Sequence, residues 1–426
     1  MTMGFMLSGM LALVLLNVPI AVALGLVATV TILIAQGPDM LPNVALVMFE
    51  GATNFPLLAV PLFILAGAIM NASSISRRLV AFATALVGFV RGGLSMVSIG
   101  ASLFFAEISG SAVADIAALG SILIPAMKRR GYSKEYAAAV CSSSASLAVI
   151  IPPSIPMILY AVMSGTSVVK LFVAGIVPGL LGAVGLAGTA YYLAVRNGFP
   201  VEERFQVKRV VETFKDAIWA FLLPLIILGG IFGGFVTATE GAALAVLAAL
   251  FVGVVIYREL NLRELYRACI EGGIQTAVVM LLVAASALIS TFLTEAQLPQ
   301  ALAHAITGLT TNTYAVLALL NVAFLILGMF LHSAAAIILV VPIVMPLVVQ
   351  SGIDPIHFGL IVTLNLAIGQ QTPPVASVLM AACSIARADI WSTTRVNLWF
   401  IGVLVLVLLL CTYVPALSLG LVNLFY

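Results

Sequence analysis

Two Pro-Pro pairs, Pro152-Pro153 in SLAVIIPPS and Pro373-Pro374 in NLAIGQQTPPV, stand inside runs that are otherwise apolar. Proline has no N–H to donate, and its ring clashes with the turn behind it, so each pair breaks a helix. The breaks leave carbonyls near Ala148 to Ile151 and Gly369 to Thr372 without helical partners. In hydrocarbon such groups persist only where something else satisfies them. A hard cation such as sodium, which takes oxygen ligands, would do so. Hydroxyls stand nearby at Ser109, Ser111, Ser154, Ser333 and Thr372. A kink satisfied by neighbouring helices and water is the plainer account of one such pair. Two pairs at matched positions favour the ion sites.

A helix broken at membrane depth also aims free N–H groups and a partial positive charge at the break, which suits an anionic ligand. Ser142 to Ser144, Ser146, Asn365, Gln370 and Gln371 could line such a pocket, or could be close-packing surfaces. Acids at this depth are costly and need a reason. Glu107 and Asp115 flank Ser109 to Ser111, and Asp115 could orient that loop or an ion. Glu240, in TATEGAA, fits N-terminal capping. His332 could be a pocket donor, a proton-sensitive group or a solvated loop residue.

The elements that must position these residues are membrane helices. Hydrophobic residues make up 63% of the chain and charged ones 8%, against about 25% charged in soluble domains. No basic run suits nucleic acid. The four cysteines show no metal or redox spacing and read as small buried hydrophobes. The first apolar run has no Lys or Arg ahead of it and is too long for a signal peptide. Charged clusters at Arg77–Arg91, Lys128–Lys134, Arg196–Lys215, Arg258–Arg267 and Arg387–Arg395 alternate with gaps almost free of basic residues. Threading these clusters to one side leaves only Lys170 of the 18 Lys and Arg on the other. The positive side is cytoplasmic, with the N-terminus inside and the C-terminus outside. Spans are expected over about 4–35, 45–70, 136–163, 168–195, 217–236, 240–257, 272–294, 312–329, 355–385 and 396–420. Residues 75–90 fit either a span or an interfacial helix, and 199–216 fit a cytoplasmic amphipathic linker. Residues 93–127 begin and end beside basic clusters, which predicts a re-entrant hairpin with its tip near Ser109. Residues 331–349 have basic-free ends and predict a second hairpin, entering from outside, with its tip near Ser333.

The two regions align with each other. With Pro125 set on Pro346, Gly131 falls on Gly352, Pro152-Pro153 on Pro373-Pro374, and Ser111 on His332. The loop after the first hairpin is basic and its counterpart is not, so the copies face opposite sides. That is an inverted-topology repeat, the arrangement by which many secondary transporters place a site near the midplane.

The stretches SGSAVADIAALGSILIPAMKRRGY, SLAVIIPPSIPMILYAVMSGTSVVKLFVAGIVPGLL, TATEGAALAV and NLAIGQQTPPVAS resemble the large membrane subunit, DctM type, of TRAP (tripartite ATP-independent periplasmic) transporters. The resemblance runs over nearly the whole chain. It implies an all-α polytopic protein of the ion-transporter superfamily, in a bacterial inner membrane, importing an organic acid on a sodium gradient. The acid could be a dicarboxylate, keto acid, sugar acid or sialic acid. The implied partners are a small membrane subunit (DctQ type) and a periplasmic binding protein (DctP type). No cofactor is implied beyond sodium as coupling ion. One sodium site would comprise Ser109, Gly110, Ser111, Val149 and Pro152. The second would comprise Gly328, Ser333, Gly369, Thr372 and Pro373. Substrate would sit between the tips, with Ser111, Asp115, Ser154, His332 and Asn365 around it. The family's second tip often carries an acidic residue where this chain has His332, so no carboxylate is expected in that ion site. The likeness divides the chain into scaffold helices 1–92, a first transport unit 93–167, scaffold 168–294 with a linker over 196–216, a second transport unit 295–386 and a C-terminal helix 387–426. The transport units would move as an elevator. The chain opens on its own first span, so no small subunit is expected to be fused ahead of it.

Two other readings stand beside this one. A stand-alone sodium or proton symporter of the same superfamily would need no partners. An intramembrane enzyme would use Asp115 or a Ser/His pair, but no second Asp and no Ser-His-Asp order is evident. An ATP-driven motor would need a GxxxxGK[ST] loop, which this chain lacks.

Overall fold

The computed structural model describes all residues except 1–5, 7, 10, 11, 14, 15, 17, 74 and 202–204, together with the side chains of all described residues but 107–109. The described residues are helical apart from turns and one isolated bridge, Arg91 to Val201. Among the described residues, eight helices are long and apolar enough to cross a membrane. Two of these, Thr313–Phe330 and Ser333–Gln350, are the arms of one hairpin. The Thr313 hydroxyl donates to the Ser351 carbonyl at 3.0 Å, which pins the ends of that hairpin together.

The first hairpin runs up Gly93–Ser109, turns at Gly110 and Ser111, and returns through Ala112–Asp115, a π-helical stretch Ile116–Gly120, and Ser121–Arg129. Gly110 takes φ +57°, a left-handed conformation that closes a helix end and that a side chain resists. Broken helix 1 follows as Lys134–Ala145, a 3₁₀ turn Ser146–Val149, the Pro-Pro break and Ile155–Ser164. Hairpin 2 turns at Leu331 and His332 and leads into broken helix 2, Pro355–Gly369 and Ser377–Ala386. Both tips and the first hairpin fall where the sequence pattern puts them, but the second hairpin is twice as long as expected: the run 312–329, read as a separate span, is its first arm, Thr313–Phe330, and 331–349 supplies only the tip and the returning arm. The repeat extends to element boundaries. Ala112 and Ser333, Arg129 and Gln350, Lys134 and Pro355, and Pro152 and Pro373 are all separated by the same number of residues. Both Pro-Pro bonds are cis.

The five basic clusters share one face. Arg78 pairs with Asp216 and Glu259, the Gly92 N–H donates to the Pro200 carbonyl, Tyr132 stacks near Phe199 at 4.3 Å, and Lys128 Nζ donates to the Ala386 carbonyl at 2.8 Å. The basic-poor gaps meet likewise, with Gln36 donating to Glu295 at 2.7 Å and Tyr160 to the Pro355 carbonyl at 2.6 Å.

Some expected spans are cut shorter. Residues 4–35 do not form one helix, because Pro19 starts a new one, Ile20–Gln36. The run 45–70 is two helices, Leu41–Ala52 and Ala59–Ala72, separated at Thr53 and Asn54 with Pro56 in the following turn. The last span ends at Tyr413, before Pro415, and a short helix Ala416–Phe425 follows. Ile75–Val87 has 13 residues, too short to cross a bilayer that needs about 20. The charged stretch 207–216 is not a separate linker helix; it is the start of Val207–Phe232. Cys141, Cys383 and Cys411 are buried as expected, while Cys269 is exposed.

Two packing groups emerge. Ile20–Gln36, Ala59–Ala72, Val207–Phe232, Ala238–Leu250 and Leu262–Glu295 pack among themselves. The hairpins and broken helices form the other group, and Val168–Arg196 and Ile390–Tyr413 pack against both broken helices and each other.

Candidate functional site

Each hairpin tip is seated on the break of its own repeat. At the first, the Ile155 N–H donates to the Gly110 carbonyl at 3.3 Å. A methyl group on Gly110 would lie 2.9 Å from the Pro153 oxygen, so the glycine is there for close approach as well as for its φ. At the second, the Val375 and Ala376 N–H groups both donate to the Met329 carbonyl, at 3.2 and 3.4 Å. Gly328 lies directly on Gly369. The sequence therefore builds two similar junctions, each a tip backbone against a broken helix.

The breaks are satisfied differently. At break 1 the Leu147 carbonyl accepts from both the Ile150 and Ile151 N–H groups. The Ser154 hydroxyl reaches back to donate to the Val149 carbonyl at 2.7 Å and accepts from the Met157 N–H at 3.4 Å. Ser154 thus caps Ile155–Ser164 and ties it to the turn it left. At break 2 the Thr372 hydroxyl donates to the Ile368 carbonyl at 3.0 Å. A carbonyl carries two lone pairs and a hydroxyl oxygen keeps lone pairs after donating. Val149, Ser154 and Thr372 therefore retain oxygen capacity toward a cation.

Of the proposed ion-site residues, the structure brings Gly110 to Pro153, next to Pro152, and Gly328 to Gly369. Ser111 is partly buried beside Gly110, and Ser333 is buried at the first turn of the second arm. The Ser109 side chain, and that of Glu107, lie outside the described residues. Among the substrate residues, Asp115 is fully buried at the entrance to the π-helical stretch. His332 is exposed, and its Nδ1 accepts from the Ala334 N–H at 3.4 Å, so it caps the second arm. Ser154 and Asn365 are fully buried and turned toward protein partners. Glu240 forms a capping box with Thr237, the structural role its sequence suggests.

The side chains that sequence reasoning missed are polar groups on helices beside the breaks. Asn365 Nδ2 donates to Asn321 Oδ1 at 2.7 Å, and Asn321 Nδ2 to Thr412 at 3.1 Å, which links hairpin 2, broken helix 2 and Ile390–Tyr413. Ser98 and Ser144 make the corresponding link in the first repeat at 2.8 Å. Asn397 joins Ser143 and Gln371. The available signal was a lone Asn inside an apolar helix, in ALLNVAFL and RVNLWF.

Two tips thus stand on two breaks, with backbone and hydroxyl oxygens gathered at each junction. The chain is similar in sequence and in fold to known transport proteins. Residues 7–417 match the family model for the tripartite ATP-independent periplasmic transporter, DctM component. The chain is 41% identical over 404 residues to an isethionate TRAP transporter permease protein, DctMQ, of Oleidesulfovibrio alaskensis, covering 94% of this chain and 63% of that one. It is 38% identical to a C4-dicarboxylate TRAP transporter large permease of Pseudomonas aeruginosa, over 94% of both chains. It is 36% identical to the sialic acid TRAP transporter permease of Haemophilus influenzae, over 85% of this chain and 59% of that one. Its fold is similar to the Alcanivorax borkumensis YdaH transporter, with a TM-score of 0.67, 16% identity and 91% of each chain covered. By sequence along nearly its whole length, the chain belongs to the DctM-component family of the tripartite ATP-independent periplasmic transporters.

Proposed function

We propose that this chain is the large permease subunit of a sodium-coupled, binding-protein-dependent importer of a small organic acid. The observation that carries the proposal is the matched seating of Gly110 on break 1 and of Gly328 on break 2. Each junction gathers backbone and hydroxyl oxygens of the type sodium prefers. Each also carries a half-helix whose N-terminus, at Ile155 or Ser377, favours anionic charge. Cation and anion sites so close together stabilise one another through their opposite charges, which is the physical basis for coupling.

The relatives named above carry isethionate, C4-dicarboxylates or sialic acid in their descriptions, and another is a 2,3-diketo-L-gulonate permease. All are organic anions, which supports the class of substrate. The DctMQ relative joins two components under one name, which supports a DctQ-type small subunit as partner. The family description supports a DctP-type periplasmic binding protein as the donor of substrate. The basic face lies in the cytoplasm of a bacterial inner membrane, with the N-terminus on that side and the C-terminus in the periplasm.

Movement is of the elevator type. The packing supports a larger moving body than the sequence suggests, since Val168–Arg196 and Ile390–Tyr413 associate with the broken helices. The helices Ile75–Val87 and Leu298–Leu309 would serve as the arms that connect this body to the scaffold.

The test is reconstitution of this chain with its small subunit and binding protein, and uptake of a panel of labelled organic acids. Uptake of one acid that requires all three proteins supports the proposal. Uptake by this chain alone would support a stand-alone symporter instead.

A further inference from the structure

Gln371 lies between Gly369 and Thr372 in the second break; its Nε2 makes one long bond to its own helix, to the Ala367 carbonyl at 3.4 Å, and otherwise the side chain reaches across to the first repeat. The amide is fully buried. Its Nε2 donates to Ser146 Oγ at 2.8 Å, and its Oε1 accepts from Ser143 at 2.7 Å. Ser143 and Ser146 stand three residues apart on one face of broken helix 1. Ser146 opens the 3₁₀ turn that ends at Val149 and carries the carbonyls of the first break. One side chain from the second break therefore grips the turn that shapes the first.

The arrangement has no counterpart in the other direction. The repeat places Ile150 opposite Gln371, and an isoleucine cannot make these bonds. The helix alongside differs in the same sense. Beside break 1, Val168–Arg196 presents Gly175, where a methyl group would lie 2.4 Å from the Ile150 oxygen. Beside break 2, Ile390–Tyr413 presents Asn397, which donates to Gln371 Oε1 at 3.3 Å and lies 2.8 Å from Ser143 Oγ. Backbone contact in one repeat is replaced by an amide network in the other.

The network also has two settings. Ser143 has a single hydroxyl proton and two acceptors within reach, Gln371 Oε1 and Asn397 Oδ1. Gln371 and Asn397 compete for it. All four side chains are buried, so neither setting is relieved by water.

The geometry points to Gln371 as a positioning residue that couples the two cation sites. The inference rests on the proposed sodium sites at the two breaks. A cation held by the backbone around Gly369 and Thr372 fixes the Gln371 Cα between them. A fixed Gln371 holds Ser143 and Ser146, and with them the Ser146–Val149 turn. The first ion thus orders a segment that the second would otherwise have to order, and binding becomes cooperative without a new contact to either ion. Coupling of this kind typically changes affinity by about 5–150-fold.

The experiment is equilibrium binding of radiolabelled sodium to the purified complex of this chain with its small subunit. Wild type is compared with Gln371→Met and Ser146→Ala, with the thermal midpoint of each recorded. Methionine keeps the volume of Gln371, and Ser146→Ala removes the cross-repeat acceptor of its Nε2 together with the local bond from the Ser146 hydroxyl to the Ser143 carbonyl, leaving Nε2 only the Ala367 carbonyl. The expected result is a sigmoidal isotherm in wild type and a hyperbolic one in both variants. The number of ions bound should be unchanged and half-saturation raised about fivefold or more. A purely structural role would lower the thermal midpoint and leave the shape of the isotherm as it was. Sigmoidal binding in both variants, or hyperbolic binding of two ions by wild type, overturns the inference. Loss of a bound ion in Gln371→Met also overturns it, by making Gln371 a ligand. Absence of any sodium binding in wild type refutes the ion sites themselves, and is seen before any variant is made.

Discussion

Gly328 and Gly369 meet backbone to backbone: a Cβ on Gly369 would lie 2.5 Å from the Gly328 Cα and 2.6 Å from its carbonyl carbon. Neither chain can move aside as a flexible side chain would. Overpacking a well-filled site costs about 1–3 kcal/mol. Gly369→Ala is therefore expected to lift the second tip from its break and to lower substrate uptake about tenfold or more, since about 1.4 kcal/mol is a factor of ten. Gly402→Ala, where the same atom meets open space, should leave uptake near wild type. Uptake rates in proteoliposomes check both. Wild-type uptake by Gly369→Ala would show that the seating is not required.

Ser154 performs two tasks at break 1, capping Ile155–Ser164 and donating to Val149. Removing an N-cap hydroxyl costs about 1 kcal/mol, and leaving a buried carbonyl without its donor adds about 1–3 kcal/mol. Ser154→Ala should lower the thermal midpoint measurably and raise the sodium concentration for half-maximal uptake. Ser154→Thr, which keeps the hydroxyl, should retain most of both. A midpoint in Ser154→Ala equal to wild type would contradict the capping role.

Much of this site was legible in the sequence. Pro152-Pro153 and Pro373-Pro374 mark their breaks because proline cannot be accommodated silently in a helix. Hairpin 1 was visible because Arg91 and Lys128 flank it, whereas of hairpin 2 only the basic-free returning arm, 331–349, was recognised, and its first arm was hidden in a run apolar and long enough to read as a span. What escaped depends on contacts between distant parts of the chain. Asn321, Asn397 and Ser98 look like isolated polar residues until the helices pack and give them partners. Ser154 and Asn365 have the right chemistry for a substrate pocket, and their donors go to protein partners, while Asn365 Oδ1 is buried without a partner. The helix cuts at Pro19 and Thr53 were hidden inside hydrophobic runs long enough to satisfy a span by length alone.

Lys128, at the end of hairpin 1, donates to the Ala386 carbonyl at the end of broken helix 2. A cation at a helix C-terminus contributes about 0.3–1 kcal/mol when exposed and up to about 2 when partly buried. This pair is partly buried. Lys128→Met is expected to cost about 1 kcal/mol and to lower the thermal midpoint, with Lys128→Arg retaining part of it. Equal midpoints for Lys128→Met and wild type would remove the bond from the account.

Arg78 joins the start of Ile75–Val87 to Asp216 and Glu259, and its guanidinium lies 4.0 Å from the Tyr257 ring centroid. The partners are well exposed, so the pairs are worth about 1 kcal/mol or less in stability. Their effect should appear in motion instead. Arg78→Gln frees the base of an arm helix and is expected to change the maximal uptake rate while sodium half-saturation stays as in wild type. A shift in half-saturation with an unchanged rate would place Arg78 in ion binding rather than in anchoring.

The central claim is that sodium entry drives substrate import. It is tested most directly by initial uptake rates in proteoliposomes holding all three components, with an inward sodium gradient imposed at equal pH on both sides and proton gradients collapsed by an ionophore. The account predicts rapid accumulation that vanishes when sodium is equal on the two sides, and that Thr372→Ala requires more sodium to reach. Accumulation that ignores sodium and follows an imposed proton gradient would contradict both ion sites and leave the tip residue His332 as the group to examine.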